Sequence, residues 1–480
     1  MEPCLTTFAI PTYRLRDVGE TIERYDENFW RNGKATRLVV FDDSTQATHQ
    51  KYYPLLEQTR THNELYYVGP KEKAELVQIL VERLGDRRLD SVVKNLFRPS
   101  YGGNRNFTLM YTLGGFLVSA DDDMRPDALL GNNPESLADH EISHGKLMRA
   151  TSNGFTRRSF DILRAFMDVL GSKVSEIPDN YAVGEYLVDT AMNLETNTTK
   201  GITRENSLLL EKGQVSPDAI VKIAQTFRTG TNDIDAVDFA ELFLQDDSTA
   251  QMGDLNDLYV LMNFRPAVTN KNWRMDCGVA AYDNRGGLPP FFPTRLRFED
   301  YIYRLWIQRE GVAAAHVAAV QNHIKNNYMR NPPAAEIFNE EICTLLKQKI
   351  KSSLRTIEDL TISFDYDGEV GSSDTVEILE RITSLHRRVV DCAHVTASGE
   401  RRQSLLTFAE NLEKAFYGFE ADFFQQNVAR IVDDVVSQIQ GALALWPTLV
   451  EICYFHKHTR ELPMHKVQNI RLEHGSSPGR

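Results

Sequence analysis

Cysteine is scarce and unpatterned in this chain. The five cysteines (4, 277, 343, 392 and 453) among 480 residues are odd in number and show no C-x-x-C spacing. That excludes a disulfide framework and fits a reducing compartment. Long apolar runs are missing too. Nothing approaches the roughly 18 consecutive apolar residues of a membrane span. The start, Met1-Glu2-Pro3-Cys4, has neither a basic nor an apolar leader region, so no secretory signal is expected and a cytoplasmic protein is. A positive surplus is also absent: 54 Lys and Arg stand against 67 Asp and Glu, a net charge of −13. Nucleic acid is therefore not an expected partner, because neutralising phosphates needs a basic surface. A local cationic or metal-loaded site for a small anion remains compatible with that charge. Internal repeats, low-complexity tracts and sustained heptads are lacking. What is left is 42% apolar and 25% charged, with mean hydropathy −0.38. Such a chain is long enough for two or three domains with real cores.

Residues 1–124 alternate short apolar runs with helical patterns. Thr6–Ile10 before Pro11, Arg37–Phe41 before Asp42-Asp43-Ser44, Leu65–Val68 before Gly69-Pro70, and Phe116–Ala120 before Asp121-Asp122-Asp123 read as buried strands. Helical patterns lie between them, from about Asp17 to Trp30 and in a Lys-, Glu- and Leu-rich stretch after Pro70. This order predicts an α/β protein with a mostly parallel sheet flanked by helices. Ligands of such sheets sit beyond the carboxyl ends of the strands. Thr12, Asp42, Asp43 and Asp121 to Asp123 should therefore gather at one rim. Residues 125–265 read as a long, partly helical insertion, with helical patterns at Arg157–Leu170, Pro217–Phe227 and Asp233–Leu244. Residues 266–330 return to short runs: a strand at Cys277–Tyr282, a loop at Asp283–Pro290, an aromatic-faced helix at Phe298–Arg309, and a last run at Val312–Val320 that suits strand or helix. Residues 331–480 read as a helical C-terminal domain, with apolar steps of three and four at Val376, Leu379, Ile382, Leu385 and Val389.

Three constellations carry chemistry. Adjacent carboxylates at Asp121-Asp122-Asp123 repel one another, so the fold must supply a compensating cation or leave them in water as a solvated acidic turn. If the segment is extended, Asp121 and Asp123 point the same way and can share a hard divalent ion with a diphosphate. Gly102-Gly103-Asn104-Arg105-Asn106 opens a helix, where backbone N–H groups can receive an anion and Arg105 can donate bidentately. Glu299-Asp300 lies near a helix start, where a carboxylate serves as dipole complement, N-cap or general base. His316 and His323 lie in and after the last apolar run, and a strand there would bring His323 to the acidic rim as a metal ligand.

The ordered set resembles the GT-A-fold inverting glycosyltransferases, in particular the large family that includes cellulose, hyaluronan and galactofuranan synthases. Ile10-Pro11-Thr12-Tyr13 is similar to its opening strand-turn, Asp42-Asp43-Ser44 to its second acidic position, and Gly103-Asn104-Arg105-Asn106 to its Gly-x-Arg-Asn helix start. Asp121-Asp122-Asp123 is similar to its D-x-D motif, and Glu299-Asp300 to its Glu-Asp motif. The resemblance covers roughly residues 5–124 and 265–325. It implies a GT-A-like domain in two parts, a nucleotide-sugar-binding half (1–124) and an acceptor-side half (266–330). It also implies a metal-dependent transfer, with inversion, from a nucleoside diphosphate sugar, UDP-linked, to a hydroxyl of a glycan, lipid-linked or small-molecule acceptor. Thr12, Arg14, Asp42, Asp43, Arg105, Asp121 and Asp122 would face the nucleotide. Asp121, Asp123 and His323 would hold Mn²⁺ or Mg²⁺, and Asp300, with Glu299 beside it, would be the catalytic base. Trp273 and the Gly286–Phe291 loop would shape the acceptor pocket, with Arg304 and Trp306 near the diphosphate. Two other readings stand beside it: a nucleotidyltransferase or sugar pyrophosphorylase, and a non-catalytic scaffold with a relic nucleotide site. The expected partners of the helical C-terminus are a second copy of the chain and, at most, a membrane surface touched peripherally by the basic segment Phe455–Arg471.

Overall fold

The computed structural model describes residues 6–44, 46–131, 147–149, 155–183, 215–227, 258–260, 266–270, 275, 277–292, 299–300, 303, 307, 311–324, 333–342, 372–397, 399–420 and 422–472. Helices α1 (Val18–Arg31), α2 (Gln46–Gln58), α3 (Pro70–Leu84), α4 (Asp90–Leu96) and α5 (Tyr101–Thr112) alternate with the first strands: β1 (Thr6–Thr12), β2 (Arg37–Asp42), β3 (Arg60–Thr61), β4 (Leu65–Val68) and β5 (Phe116–Ala120). Further strands follow: β6 (Met124–Gly131), β7 (Leu147–Arg149), β8 (Phe155–Arg158), β9 (Ala182–Val183), β10 (Val221–Phe227), β11 (Leu258–Val260), β12 (Ala267–Thr269), β13 (Val279–Asp283) and β14 (Ala313–His323). Long helices Ser372–Val395, Gly399–Glu420 and Asp422–Thr459 precede two short strands, β15 (His465–Lys466) and β16 (Ile470–Arg471).

Among the described residues, twelve strands form one mixed sheet. Its path is β15-β4-β2-β1-β5-β13-β10-β14-β12-β9, with β6 added on β14 and β8 on β6. β4, β2, β1 and β5 are parallel, as the helix-strand alternation predicts. Beyond β5 the sheet changes character: β13 is antiparallel to β5 and β10 antiparallel to β13. The mostly parallel expectation thus holds for β1, β2, β4 and β5 and not for the whole sheet. β10 lies within Pro217–Phe227, which reads as helix in sequence. Val221, Ile223, Ala224, Gln225 and Thr226 are all buried, so the strand has two inner faces and no alternation to announce it. Arg157–Leu170 likewise divides into the end of β8 and a short helix, Ile162–Met167. Asp233–Leu244 lies outside the described residues.

Pro11 does not end β1. The strand continues to Thr12, with Pro11 opposite Phe41 of β2, while the pairing with β5 stops at Ala9. The missing N–H of Pro11 costs no ladder bond on that open side.

Alternating residues of the central strands feed two cores. Phe8, Ile10, Leu38, Val40 and Val118 meet Ile22, Tyr25 and Phe29 of α1 and Tyr52 of α2 on one face. Ala9, Val39, Phe41 and Leu117 meet Leu76 of α3, Phe107 of α5 and, from the last long helix, Trp446, Leu449 and Cys453 on the other. Each large side chain buried this way contributes about 1.5–3 kcal/mol. The final helix therefore closes the second core, and β15 behind it adds an edge strand to β4. Among the described residues no helix is long and apolar enough to cross a membrane.

Candidate active site

Four strand ends meet at one rim. β1 delivers Thr12 and then Arg14, β2 delivers Asp42 and Asp43, and β5 runs into Asp121 to Asp123. β14 is parallel to β10, which is antiparallel to β13 as β13 is to β5. β14 therefore runs in the sense of β5 and ends at the same rim with His323. The second histidine, His316, sits in mid-strand, buried against Gln225 at 2.8 Å between ring and amide nitrogens.

The acidic triplet is a turn, not an extended strand: the N–H of Met124 donates to the carbonyl of Asp121 at 3.1 Å. That geometry separates the three carboxylates. Asp122 turns inward, accepting from Thr12 Oγ1 at 2.6 Å and from both the Nε and the terminal nitrogen of Arg14. Asp123 accepts from Arg14 at 2.7 Å and has His323 Nε2 at 3.6 Å from its Oδ1. Asp121 goes the other way, to Arg105 at 3.0 Å. Burial pushes the carboxyls of Asp121 and Asp122 up, with the neighbouring acids adding to it, while Arg105 and Arg14 pull the other way. For Arg14, burial opposes the charge but Asp123 and Asp122 outweigh it, so the guanidinium is held charged.

α5 starts at this rim. Ser100 caps it by accepting from the N–H of Gly103 at 3.0 Å. Gly103 is required there, because a Cβ would lie 2.0 Å from the carbonyl oxygen of Arg98. The next two residues face the rim. Asn104 donates to the carbonyl of Phe41 and accepts from Lys73 at 2.8 Å, and Lys73 in turn donates to Asp43 at 3.0 Å. Arg105 reaches three groups: Asp121, Glu299 at 3.5 Å and the carbonyl of Cys277 at 3.3 Å. The buried guanidinium thus ties Glu299 to the triplet, across nearly two hundred positions of sequence. Asp300 follows Glu299 on the same helical turn and is half-buried.

Several expected roles change. Asp42 is fully buried, and its oxygens accept from the hydroxyl of Tyr67 and the N–H of Ser44, both at 2.7 Å. It shapes the turn that carries Asp43. In the Gly286–Phe291 loop, Gly286 is exposed while Leu288, Pro290 and Phe291 pack inward. Leu288 accepts from the Trp446 indole at 2.7 Å, and Phe291 is buried and stacked 3.7 Å from Tyr303. Trp273, Arg304 and Trp306 lie outside the described residues. Lys73, Tyr52 and Tyr67 complete the rim without a sequence signal; Tyr52 lies 3.1 Å from Thr12 Oγ1. Lys73 sits in a Lys- and Glu-rich helix where every cation reads as solvated. A faint cue is Pro70 at the start of α3, which fixes where its first turn begins.

Among the described residues no group of three or more His, Cys, Asp or Glu side chains is arranged to enclose a metal ion. The pair Asp123 and His323 still suits one. A carboxylate oxygen and an imidazole nitrogen, side by side at a rim, are donors that would fit a divalent cation. The chain matches no family model and no curated protein.

Proposed function

We propose that the protein is a metal-dependent glycosyltransferase that moves a sugar from a nucleoside diphosphate sugar, UDP-linked, to an acceptor hydroxyl with inversion. The observation that supports this best is the convergence just described. Asp43, Arg14, the turn Asp121 to Asp123, His323 and, through Arg105, the helical pair Glu299-Asp300 all meet beyond the carboxyl ends of the central strands. It is where an α/β sheet holds a nucleotide.

Each group has a task in that reaction. Asp43, steadied by Lys73, meets the base or ribose with Thr12 beside it. Arg14 and Arg105 place positive charge around the leaving diphosphate, and Asp122 keeps Arg14 oriented. Asp123 and His323 would hold Mn²⁺ or Mg²⁺, which when bound would supply electrostatic stabilisation of the diphosphate as it gains charge. Asp300 takes the proton of the acceptor hydroxyl. The acceptor oxygen bonds to the anomeric carbon, the bond from that carbon to the phosphate oxygen breaks, and the nucleoside diphosphate leaves with the electron pair. Attack on the face opposite the leaving group inverts the centre.

The deciding experiment incubates the purified chain with a panel of nucleotide sugars, Mn²⁺ and simple sugar acceptors, with nuclear magnetic resonance of the product. Transfer with release of UDP, inversion at the anomeric carbon and loss of activity in EDTA is the expected result. Release of pyrophosphate would instead identify a nucleotidyltransferase, and no turnover with any donor would point to a scaffold.

A further inference from the structure

A cavity of about 240 Å³ opens at the other end of the sheet. Thr7 at the start of β1, Arg37 at the start of β2 and Tyr66 of β4 form one side. The turn leaving α5, Lys457 in the last turn of the final long helix, and Arg460 and Glu461 just after it form the other. Thr7 precedes Thr12 by five strand positions, which puts the cavity roughly 16 Å from the acidic rim.

Its charge is lopsided. Arg37, Lys457 and Arg460 face it, with Glu461 as the single acid of the lining among the described residues. Lys457 is fixed in place, donating to the carbonyls of Tyr111 at 3.1 Å and Leu113 at 2.6 Å at the end of α5. An ammonium has three protons, so one remains for a ligand. Arg37 lies over the Tyr66 ring, 5.0 Å from its centre. Neither Arg37 nor Arg460 forms an ion pair with a carboxylate among the described residues. The acid nearest Tyr66, Glu64, is already taken by the Tyr66 hydroxyl and Lys466. Burial, with the charge of Arg37 added, pushes the Lys457 ammonium down. Cations gathered around a hollow without matching acids repel one another, and an anion in the hollow relieves that repulsion.

The size and the remaining wall narrow the ligand. The volume falls below the roughly 300–1,000 Å³ of pockets for drug-sized molecules. Leu113, Leu462 and Met464 give the cavity an apolar flank. Guanidinium forks match phosphate oxygens bidentately, and a tetrahedral phosphate offers oxygens to all three cations at once. We propose that this cavity binds a small phosphomonoester, its phosphate held by Arg37, Arg460 and Lys457 and its short organic part against the apolar flank.

A soluble metabolite and an exposed phosphatidate headgroup share that chemistry, so the test has two arms. The full chain is titrated with glycerol phosphate by calorimetry. It is also sedimented with phosphatidylcholine vesicles with and without phosphatidic acid. Arg37→Ala and Arg460→Glu are the variants; Arg460 is solvent-exposed, so its replacement spares the core. Binding of glycerol phosphate that weakens at least about tenfold in each variant and persists in Asp123→Asn is the expected result. Binding only to phosphatidate vesicles, lost in Arg460→Glu, assigns the same site to a headgroup. No binding of either probe, or binding indifferent to both variants, overturns the proposal. So does binding that disappears in Asp123→Asn, which would put the phosphate at the acidic rim.

Discussion

At the scale of single residues, the rim separates groups by what surrounds them. Asp122 is buried and fully engaged, Asp123 faces His323, and Asp300 is half-buried one position beyond a buried glutamate. On the proposed reaction, Asp300→Asn should lower kcat by roughly 10²–10⁴-fold. It should leave binding of the nucleoside diphosphate intact by calorimetry; wild-type turnover in the variant would place the base elsewhere. Arg105 answers to two carboxylates at once, so Arg105→Met strands Asp121 and Glu299 without their cation. A loss of about 3–5 kcal/mol in urea unfolding is expected, since breaking a buried ion pair leaves uncompensated charge. A loss below 1 kcal/mol would show that the acids readjust. Thr12, Arg14, the triplet, Glu299 and His323 were legible in sequence because each follows an apolar run or opens a helix. Lys73, Tyr52 and Tyr67 were not, because their roles depend on which strand ends they face.

At the scale of elements, two devices carry specific expectations. Gly103 lets α5 begin directly beneath Arg98, and Gly103→Ala forces backbone to move to relieve a 2.0 Å contact. The variant should lose about 1–3 kcal/mol and shift Arg105 with it, seen as lower melting temperature and weaker donor binding together. The second device closes β13. Asp283, fully buried, accepts from Arg285 at 2.8 Å and from Lys222 at 3.0 Å. Burial pushes this carboxyl up, but the bonds from Arg285 and Lys222 outweigh it and leave it below the ordinary value. The folded state therefore holds fewer protons than the unfolded one at this site. Its stabilisation is complete above about pH 4 and fades as pH falls through the lower folded value. Because both cations are partly exposed, Asp283→Asn should cost only about 1 kcal/mol at pH 7, and the gap between the two proteins should narrow on acidification. A gap that stays constant down to pH 2.5 would refute the linkage.

At the scale of the whole molecule, the last long helix belongs to the core of the first 124 residues. Trp446, Leu449 and Cys453 are buried against α4, α5 and the sheet, and β15 hydrogen-bonds to β4. Trp446→Ala should destabilise the chain by about 3–5 kcal/mol. A chain ended at residue 421 should be insoluble or unfolded, because it uncovers one face of the central strands. A truncated protein that melts cooperatively at the wild-type temperature would show that the helix is dispensable.

Local pattern was enough for much of this. Four apolar runs and the helices between them set the parallel half of the sheet, and with it the edge at which their trailing polar residues gather, because a buried parallel strand is a continuous apolar run and its ligands lie beyond its carboxyl end. The rest required the folded chain. Whether Pro217–Phe227 is helix or strand, whether three adjacent aspartates share a direction or part company, and whether the final helix stands apart or seals the core are questions of which surfaces meet. Contacts between residues hundreds of positions apart answer them, and no short window of sequence records those contacts.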